Sequence, residues 1–176
     1  GLHGGGGEAL SGYAVPSLLI DHAMRNPHVP PGFWRGVNLN QNAIYVECFI
    51  DEIAHATKQD PLALRRKLIQ DPKRLAVLNA VAERIGWERP AADVGGQKVF
   101  RGLAQTHGFG SYVAACAEVS VSKEGELKVH RIVAATDPGH AVNPQQIEAQ
   151  VEGSFVYGLS AALYGACTVK DGAIQQ

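Results

Sequence analysis

The run Asp137-Pro138-Gly139-His140-Ala141-Val142-Asn143-Pro144, followed by Gln150, Glu152-Gly153 and Gly158, has the residue types and spacing to bind an anion. It ends an apolar, strand-like stretch, turns on Gly139, and opens a helix with Asn143 as N-cap and Pro144 at the first helical position. The first amides of such a helix lack intrahelical acceptors, and the helix dipole favours negative charge there. Gln150 falls two turns in, on the same face as Asn143, beside glycines that permit close approach. The alternative is that Asn143-Pro144 caps a core helix and that Gln150 stands on its wet side.

Other residues offer weaker chemistry. Phe109-Gly110-Ser111 can present backbone amides and a hydroxyl to a phosphate, or can be only a bend entering a strand. His22, His28, His55, His107, His130 and His140 show no metal-ligand spacing. Cys48, Asp51 and His55 share a helical face, a pattern that is usually accidental. His140 lies in the candidate anion loop, where its charge could respond to a ligand, or it is a solvent-exposed turn residue.

The ordered set Asp-x-Gly-x-x-x-Asn-Pro, Ala149-Gln150-Val151-Glu152-Gly153 and Gly158-Leu159 resembles the molybdopterin-binding large subunit of the molybdenum hydroxylases related to xanthine dehydrogenase. Within that family it is most similar to the isoquinoline 1-oxidoreductase beta-subunit and membrane-bound aldehyde dehydrogenase branch. Trp34-Arg35-Gly36-Val37-Asn38, with Glu47 and Asp51-Glu52-Ile53-Ala54, adds to the likeness. So does Arg101-Gly102-Leu103-Ala104 through Phe109-Gly110-Ser111-Tyr112-Val113-Ala114 to Ala117-Glu118-Val119.

The resemblance implies that Gln150 contacts the pterin, that Asn143, Gly139, Gly110 and Ser111 line the cofactor, and that Arg35 lies near substrate. Arg35 could instead pair with a carboxylate such as Glu47. The parent protein would hydroxylate an N-heterocycle, or oxidise an aldehyde, using water. Its cofactor would be molybdenum-molybdopterin in the cytosine dinucleotide form, with none expected on the fragment. Its electrons would leave through an iron-sulfur small subunit, with a cytochrome c acceptor as a further partner. The parent would be bacterial, periplasmic or associated with the cytoplasmic membrane. Pro138 replaces a common Cys, and Ala166 a common Glu. The general-base glutamate of the family is expected beyond the C-terminus, and its Gly-Gln-Gly loop is missing, so no catalytic residue is assigned within the chain.

Composition sets bounds on this reading. A chain of 176 residues suits one domain that buries about 70% of its unfolded surface. With 16 basic and 17 acidic residues the formal charge is −1, which disfavours binding to a nucleic-acid backbone. Cys48, Cys116 and Cys167 are widely spaced, form no Cys-x-x-Cys pair, and read as buried thiols rather than as a disulfide, iron-sulfur or zinc framework. No segment approaches the roughly 20 apolar residues of a membrane span. The Gly1 start, the Gly4-Gly5-Gly6-Gly7 run and the end just after a hairpin turn read as an excised piece of a longer protein.

The elements that must position these residues follow from pattern. Residues 1–40, with Pro16, Pro27, Pro30 and Pro31, form an extended lead-in. A helical portion spans 41–87: Ala43, Val46, Ile50, Ile53 and Ala54 at helical spacing, with Glu47, Asp51 and Glu52 on other faces, then two helices opened by Asp60-Pro61 and Asp71-Pro72. The latter two are expected to bury Leu64 and Leu68, and Leu75, Leu78, Val81, Ala82 and Ile85, with Gly86 as the stop. Residues 88–98 read as a loop. A β-rich portion spans 99–176, with a hairpin built on Val113 to Val121 and Leu127 to Ala135, where loss of alternation implies burial on both faces or a bulge. A long helix over 143–164 is expected to bury Ile147, Val151, Phe155, Leu159, Ala162 and Leu163. Lys170-Asp171-Gly172 reads as a hairpin turn near the truncated C-terminus. The fold class is α+β, with N-terminal helices, a mainly antiparallel sheet and a long packed helix.

Overall fold

The computed structural model describes residues 12–19, 23, 25, 27–30 and 32–176. The Gly4 to Gly7 run, His22 and Pro31 lie outside the described residues. The chain divides into two units. The first is built on Phe33–Pro138 with Gly12 to Leu19, and the second on Gly139–Gln176 with Arg25–Gly32.

The first unit opens with α1 (Leu39–Ala56), α2 (Pro61–Leu68) and α3 (Pro72–Ile85). Each Asp-Pro pair does what its chemistry dictates. Asp60 accepts the Ala63 amide at 2.8 Å, Asp71 accepts the Lys73 amide at 2.8 Å, and proline occupies the position whose N–H would have no helical acceptor. Gly86 ends α3 in the left-handed region at φ 71°.

Strands β1 (Phe100–Gly108), β2 (Ser111–Val121) and β3 (Leu127–Asp137) form an antiparallel sheet in that order. Alternation marks β2 and β3, whereas β1 is poorly marked because its inward positions pair Leu103 with a buried polar residue, Gln105. The register passes from Glu118↔Arg131 to Val119↔Val129, leaving His130 as the extra residue of a bulge. That bulge accounts for the slip in alternation that the sequence shows just beyond it. Helix α3 packs across β2 and β3, and α1 against β1. The core joins Ile50, Ala54, Leu62, Leu78, Val81 and Ile85 to Leu103, Ala114 and Cys116 of the sheet.

One face of α1 departs from the sequence reading. Glu47 was expected away from the apolar stripe, yet it is buried beside Ile50 and Ala54 because buried partners satisfy it. Tyr13 Oη donates to Glu47 Oε1 at 2.6 Å, and Arg65 Nε donates to Glu47 Oε2 at 2.9 Å. Arg65 is fully buried and also donates to Asp51 Oδ1 at 2.6 Å and to the Glu47 carbonyl at 3.0 Å. Gln105 extends the network, donating to Tyr13 Oη at 3.1 Å and accepting from Arg74 Nε at 3.3 Å. The buried charges of Glu47 and Arg65 are thereby hydrogen-bonded, the condition for tolerating them inside a fold, whereas buried Arg74 keeps only its Nε bond and its Nη1 has no partner among the described residues.

The second unit holds α4 (Pro144–Leu163) and a hairpin of β4 (Val169–Lys170) and β5 (Ala173–Ile174). Asp171 and Gly172 both have positive φ, as a two-residue turn of this kind requires. The expected buried stripe of α4 is corrected: Ile147, Val151, Phe155 and Leu159 are only half-buried, and Ala162 and Leu163 are exposed. The helix has apolar side chains on other faces too, with Val156 and Tyr157 exposed, so no single surface can bury them all.

Candidate functional site

The hairpin carrying Gly110 and Ser111 joins β1 to β2. Gly108 pairs with Ser111, leaving Phe109 and Gly110 as a two-residue turn with φ of 51° and 78°. That geometry suits Asn-Gly, and a left-handed phenylalanine costs about 1–2 kcal/mol. Phe109 is nonetheless 78% exposed, so burial of its ring does not offset the strain. A Cβ added at Gly110 would meet open space, which leaves its backbone approachable.

Arg35 lies in the turn before α1, exposed, with its carbonyl accepting a hydrogen bond from Asn40 Nδ2. Both oxygens of Glu47, the carboxylate weighed as a partner for Arg35, are engaged by Tyr13 and Arg65. Leu39 packs against Gly108, where any added Cβ would collide with its side chain. The turn bearing Arg35 and the hairpin bearing Gly110 and Ser111 therefore meet at one end of the first unit.

The same end carries a polar cluster that the sequence reading missed. His107 and Tyr112, opposite one another on β1 and β2, stack with centroids 5.7 Å apart. Lys73 Nζ lies 5.6 Å from the Tyr112 ring and 3.5 Å from Asp137 Oδ2. Burial works against the charge of Asp71, but amide bonds from Lys73 and Arg74, with Tyr112 and His107 nearby, hold its carboxyl below the usual range. Only Asp137, as the end of a strand before a glycine turn, was visible beforehand. Strand pairing brings His107, Tyr112 and Asp137 together, and the start of α3 supplies Asp71 and Lys73.

In the second unit Gly139 turns with φ 82° and open space where a Cβ would stand. Asn143 caps α4, its Oδ1 accepting the Gln146 amide at 3.2 Å. Pro144 has no N–H and the Ile147 amide reaches the Asn143 carbonyl, so the Gln145 amide remains of the first-turn donors. The expectation of several unpaired amides reduces to that one. Gln150 is exposed, as are His140 and Asn143. The structure thus groups Gly139, Asn143 and Gln150 in one unit, and Arg35, Gly110 and Ser111 in the other.

Further side chains are excluded from chemistry on physical grounds. Cys48, Asp51 and His55 form no metal site, since Asp51 is tied to Arg65 and no cluster of three ligands exists among the described residues. The expectation of three buried thiols holds for Cys116 alone, and Cys48 and Cys167 are exposed. Burial pushes the Cys116 thiol up to about 11, so it is inert near neutrality. Ser120 Oγ lies 2.7 Å from His130 Nε2 and 3.0 Å from Gln97 Oε1, but it is fully buried, where no substrate carbonyl can reach it. No helix among the described residues is long and apolar enough to cross a membrane.

Comparison with known proteins supplies the context. Residues 50–176 match the molybdopterin cofactor-binding domain. The chain is 34% identical over 165 residues to the beta subunit of isoquinoline 1-oxidoreductase from Brevundimonas diminuta, covering 93% of this chain and 21% of that protein. It is 33% identical over 151 residues to one subunit of the nicotinate dehydrogenase of Pseudomonas putida, covering 78% and 13%. It is 28% identical over 162 residues to a membrane-bound aldehyde dehydrogenase (pyrroloquinoline-quinone) of Gluconacetobacter polyoxogenes, covering 81% and 21%. The chain spans about a fifth or less of the length of these curated relatives. No solved structure matches it. The match encloses both the Gly110 hairpin and the Gln150 helix, and the chain belongs to the molybdopterin cofactor-binding domain family.

Proposed function

We propose that this chain forms part of the wall of a molybdenum-pterin site in the large subunit of an oxidoreductase. Gln150, Asn143, Gly139, Gly110 and Ser111 would hold the cofactor, and Arg35 would stand near substrate. The observation that carries the reading is the exposed Gln150 carboxamide two turns into a helix whose Gln145 amide is also available, within the matched segment. A carboxamide offers one acceptor and two donors, which suits the mixed edge of a pterin, and an open helix start suits a phosphate. Gly139 leaves room where any side chain would stand, so the residues present at the start of α4 fit such a guest.

When bound, the molybdenum centre would supply a two-electron oxidation. This chain's residues would bind and orient the cofactor rather than move the substrate's proton. None of the candidate residues is a buried acid or base aimed at open space, so a general base would come from elsewhere in the large subunit, and this segment alone would be inactive. The parent reaction would be hydroxylation of an N-heterocycle, or oxidation of an aldehyde to an acid, with water as the oxygen source and two electrons and two protons released. The names of the relatives support both substrate classes. The cofactor would carry the cytosine dinucleotide form. An iron-sulfur small subunit would take the electrons and pass them to an acceptor such as a cytochrome c.

A second reading is a subunit-contact module without cofactor contact. It is favoured by the engagement of Asn143 Oδ1 in capping and by apolar residues on several faces of α4. Metal, pterin and quinone analysis of the full-length protein carrying Gln150→Ala separates the two. Loss of molybdenum and pterin together supports the cofactor wall. Unchanged occupancy supports the contact module, and a quinone in place of molybdenum in the unsubstituted protein overturns the first reading.

A further inference from the structure

The three-stranded sheet of the first unit sorts its side chains by charge. Arg101 and Arg131 reach the Gly86 and Arg84 carbonyls at the end of α3, at 2.9 and 3.4 Å. Glu118 pairs with both arginines, and Asp137 pairs with Lys73 of α3. These charges therefore lie on the face that α3 covers. The opposite face carries none. Strand register sets Phe100, Val119 and Val129 there in one row, and Ala104, Ala115 and Ala134 in a second. Gly102, Ala117 and Ile132 form the row between them. The bulge at His130 makes the face continuous, since it puts Val129 and Ile132, three positions apart, on the same side of β3. None of these residues belongs to the core of the first unit, which the sheet enters with Leu103, Ala114 and Cys116. Gly102 and Ala104 are exposed, and Phe100 is 50% exposed.

The order of sizes on this face is what self-association requires. A two-fold axis lying between two copies, crossing the strands at the Ala117 row, sets Phe100 over Ala104, Val119 over Ala115 and Val129 over Ala134. Large side chains then meet small ones on all three strands, as close packing demands. An unrelated partner imposes no such symmetry about one row. An uncharged face also meets its own copy without like-charge repulsion. Strands about 4.8 Å apart that rise about 3.3 Å per residue give three strands of this length a face of roughly 480 Å², or roughly 1,000 Å² for two copies. That is the size of weak, reversible complexes.

We infer that the outer face of β1, β2 and β3 is a self-association surface, on which a second copy of this chain stacks about a two-fold axis. The surface lies wholly in the first unit and is independent of the proposed cofactor role.

Sedimentation equilibrium of the purified chain from micromolar to millimolar concentration tests the assignment. A reversible equilibrium between monomer and dimer is expected, with no larger species, since a two-fold contact closes on itself. Ala115→Lys places an ammonium in the dry stack and should leave only monomer, with the circular dichroism spectrum of the dilute protein unchanged. Val119→Ala removes two methyl groups per copy from the contact and should weaken the dimer by at least about tenfold. Ala115→Val should weaken it too, by overpacking. The two together keep large against small and should restore the affinity to within about threefold of the parent. A purely structural role for these residues would instead leave the double variant no tighter than either single one, which overturns the inference. So does a chain that stays monomeric at millimolar concentration. Dissociation by Val156→Lys on the exposed side of α4, but not by Ala115→Lys, would equally overturn it, because α4 would then be the contact.

Discussion

Replacing Arg65 with alanine is the sharpest test of what holds the first unit together. Arg65 is fully buried, and its guanidinium binds Glu47 at 2.9 Å, Asp51 at 2.6 Å and the carbonyls of Glu47 and Pro61 at 3.0 and 3.2 Å. Truncation leaves the Glu47 carboxylate buried without its cation, a change that costs about 3–5 kcal/mol. The Asp51 contact adds little, since that side chain is 46% exposed and an exposed pair is worth about 0–1 kcal/mol. A total near 4 kcal/mol, divided by a urea dependence of about 2 kcal/mol per molar, moves the midpoint down by about 2 M. Urea unfolding followed by circular dichroism measures it. The double variant Glu47→Gln, Arg65→Met removes both charges while leaving Tyr13 an amide oxygen to bond, and should recover most of the loss. A fall of less than about 0.5 M in the single variant, or a double variant less stable than the single, refutes the argument that burial of an unpaired carboxylate sets the cost.

Thiol reactivity should separate the cysteines: two groups per chain, Cys48 and Cys167, should react with a disulfide reagent in native buffer, and Cys116 only after denaturant is added. Replacing Phe109 with Asn gives the turn the residue its geometry prefers and should raise stability by about 1 kcal/mol in thermal unfolding, while a loss would show that the ring has a packing role. The folded pKa of Asp71 lies below its unfolded value, so its contribution is present above the unfolded value and is lost as pH falls through the folded one. Asp71→Ala should therefore cost about 1 kcal/mol at neutral pH, and the gap from the parent should close in strongly acidic buffer. By hydrogen-deuterium exchange, amides of α4, which has no buried residue, should exchange at least about tenfold faster than those of α3.

Legibility in the sequence tracks the range of the interaction. The two Asp-Pro helix starts, the Gly86 stop and the Asp171-Gly172 turn are settled by neighbours within four residues, and each is where local chemistry puts it. The β2 and β3 strands were legible from alternation, and His130 explains the one place where that alternation slips. Glu47 was misplaced because its partner is 18 positions away, and the Tyr13 to Gln105 bond spans 92. No periodicity contains that information. The cluster of Lys73, His107, Tyr112 and Asp137 was missed for the same reason, since strand register and the packing of α3 on the sheet, not spacing, assemble it. At the candidate site, the Asn143 cap and the Gly139 turn could be read in advance. That a single first-turn amide is left over could not.

That last detail bears on how a cofactor could be held. One amide, one carboxamide and a glycine turn offer few donors to a large anion, and a hydrogen bond to a charged group contributes about 1.5–3 kcal/mol. Against the several kcal/mol lost in immobilising a ligand, this is too little for tight retention. A cofactor site built on Gln150 would therefore be composite, with most of its donors supplied from outside this helix. The rigidity of the first unit then matters more than its own contacts. A hairpin tip fixed by a buried ion-pair network and by a strand paired along its length can present Gly110 and Ser111 in one place, at no further cost in conformational entropy when a guest arrives.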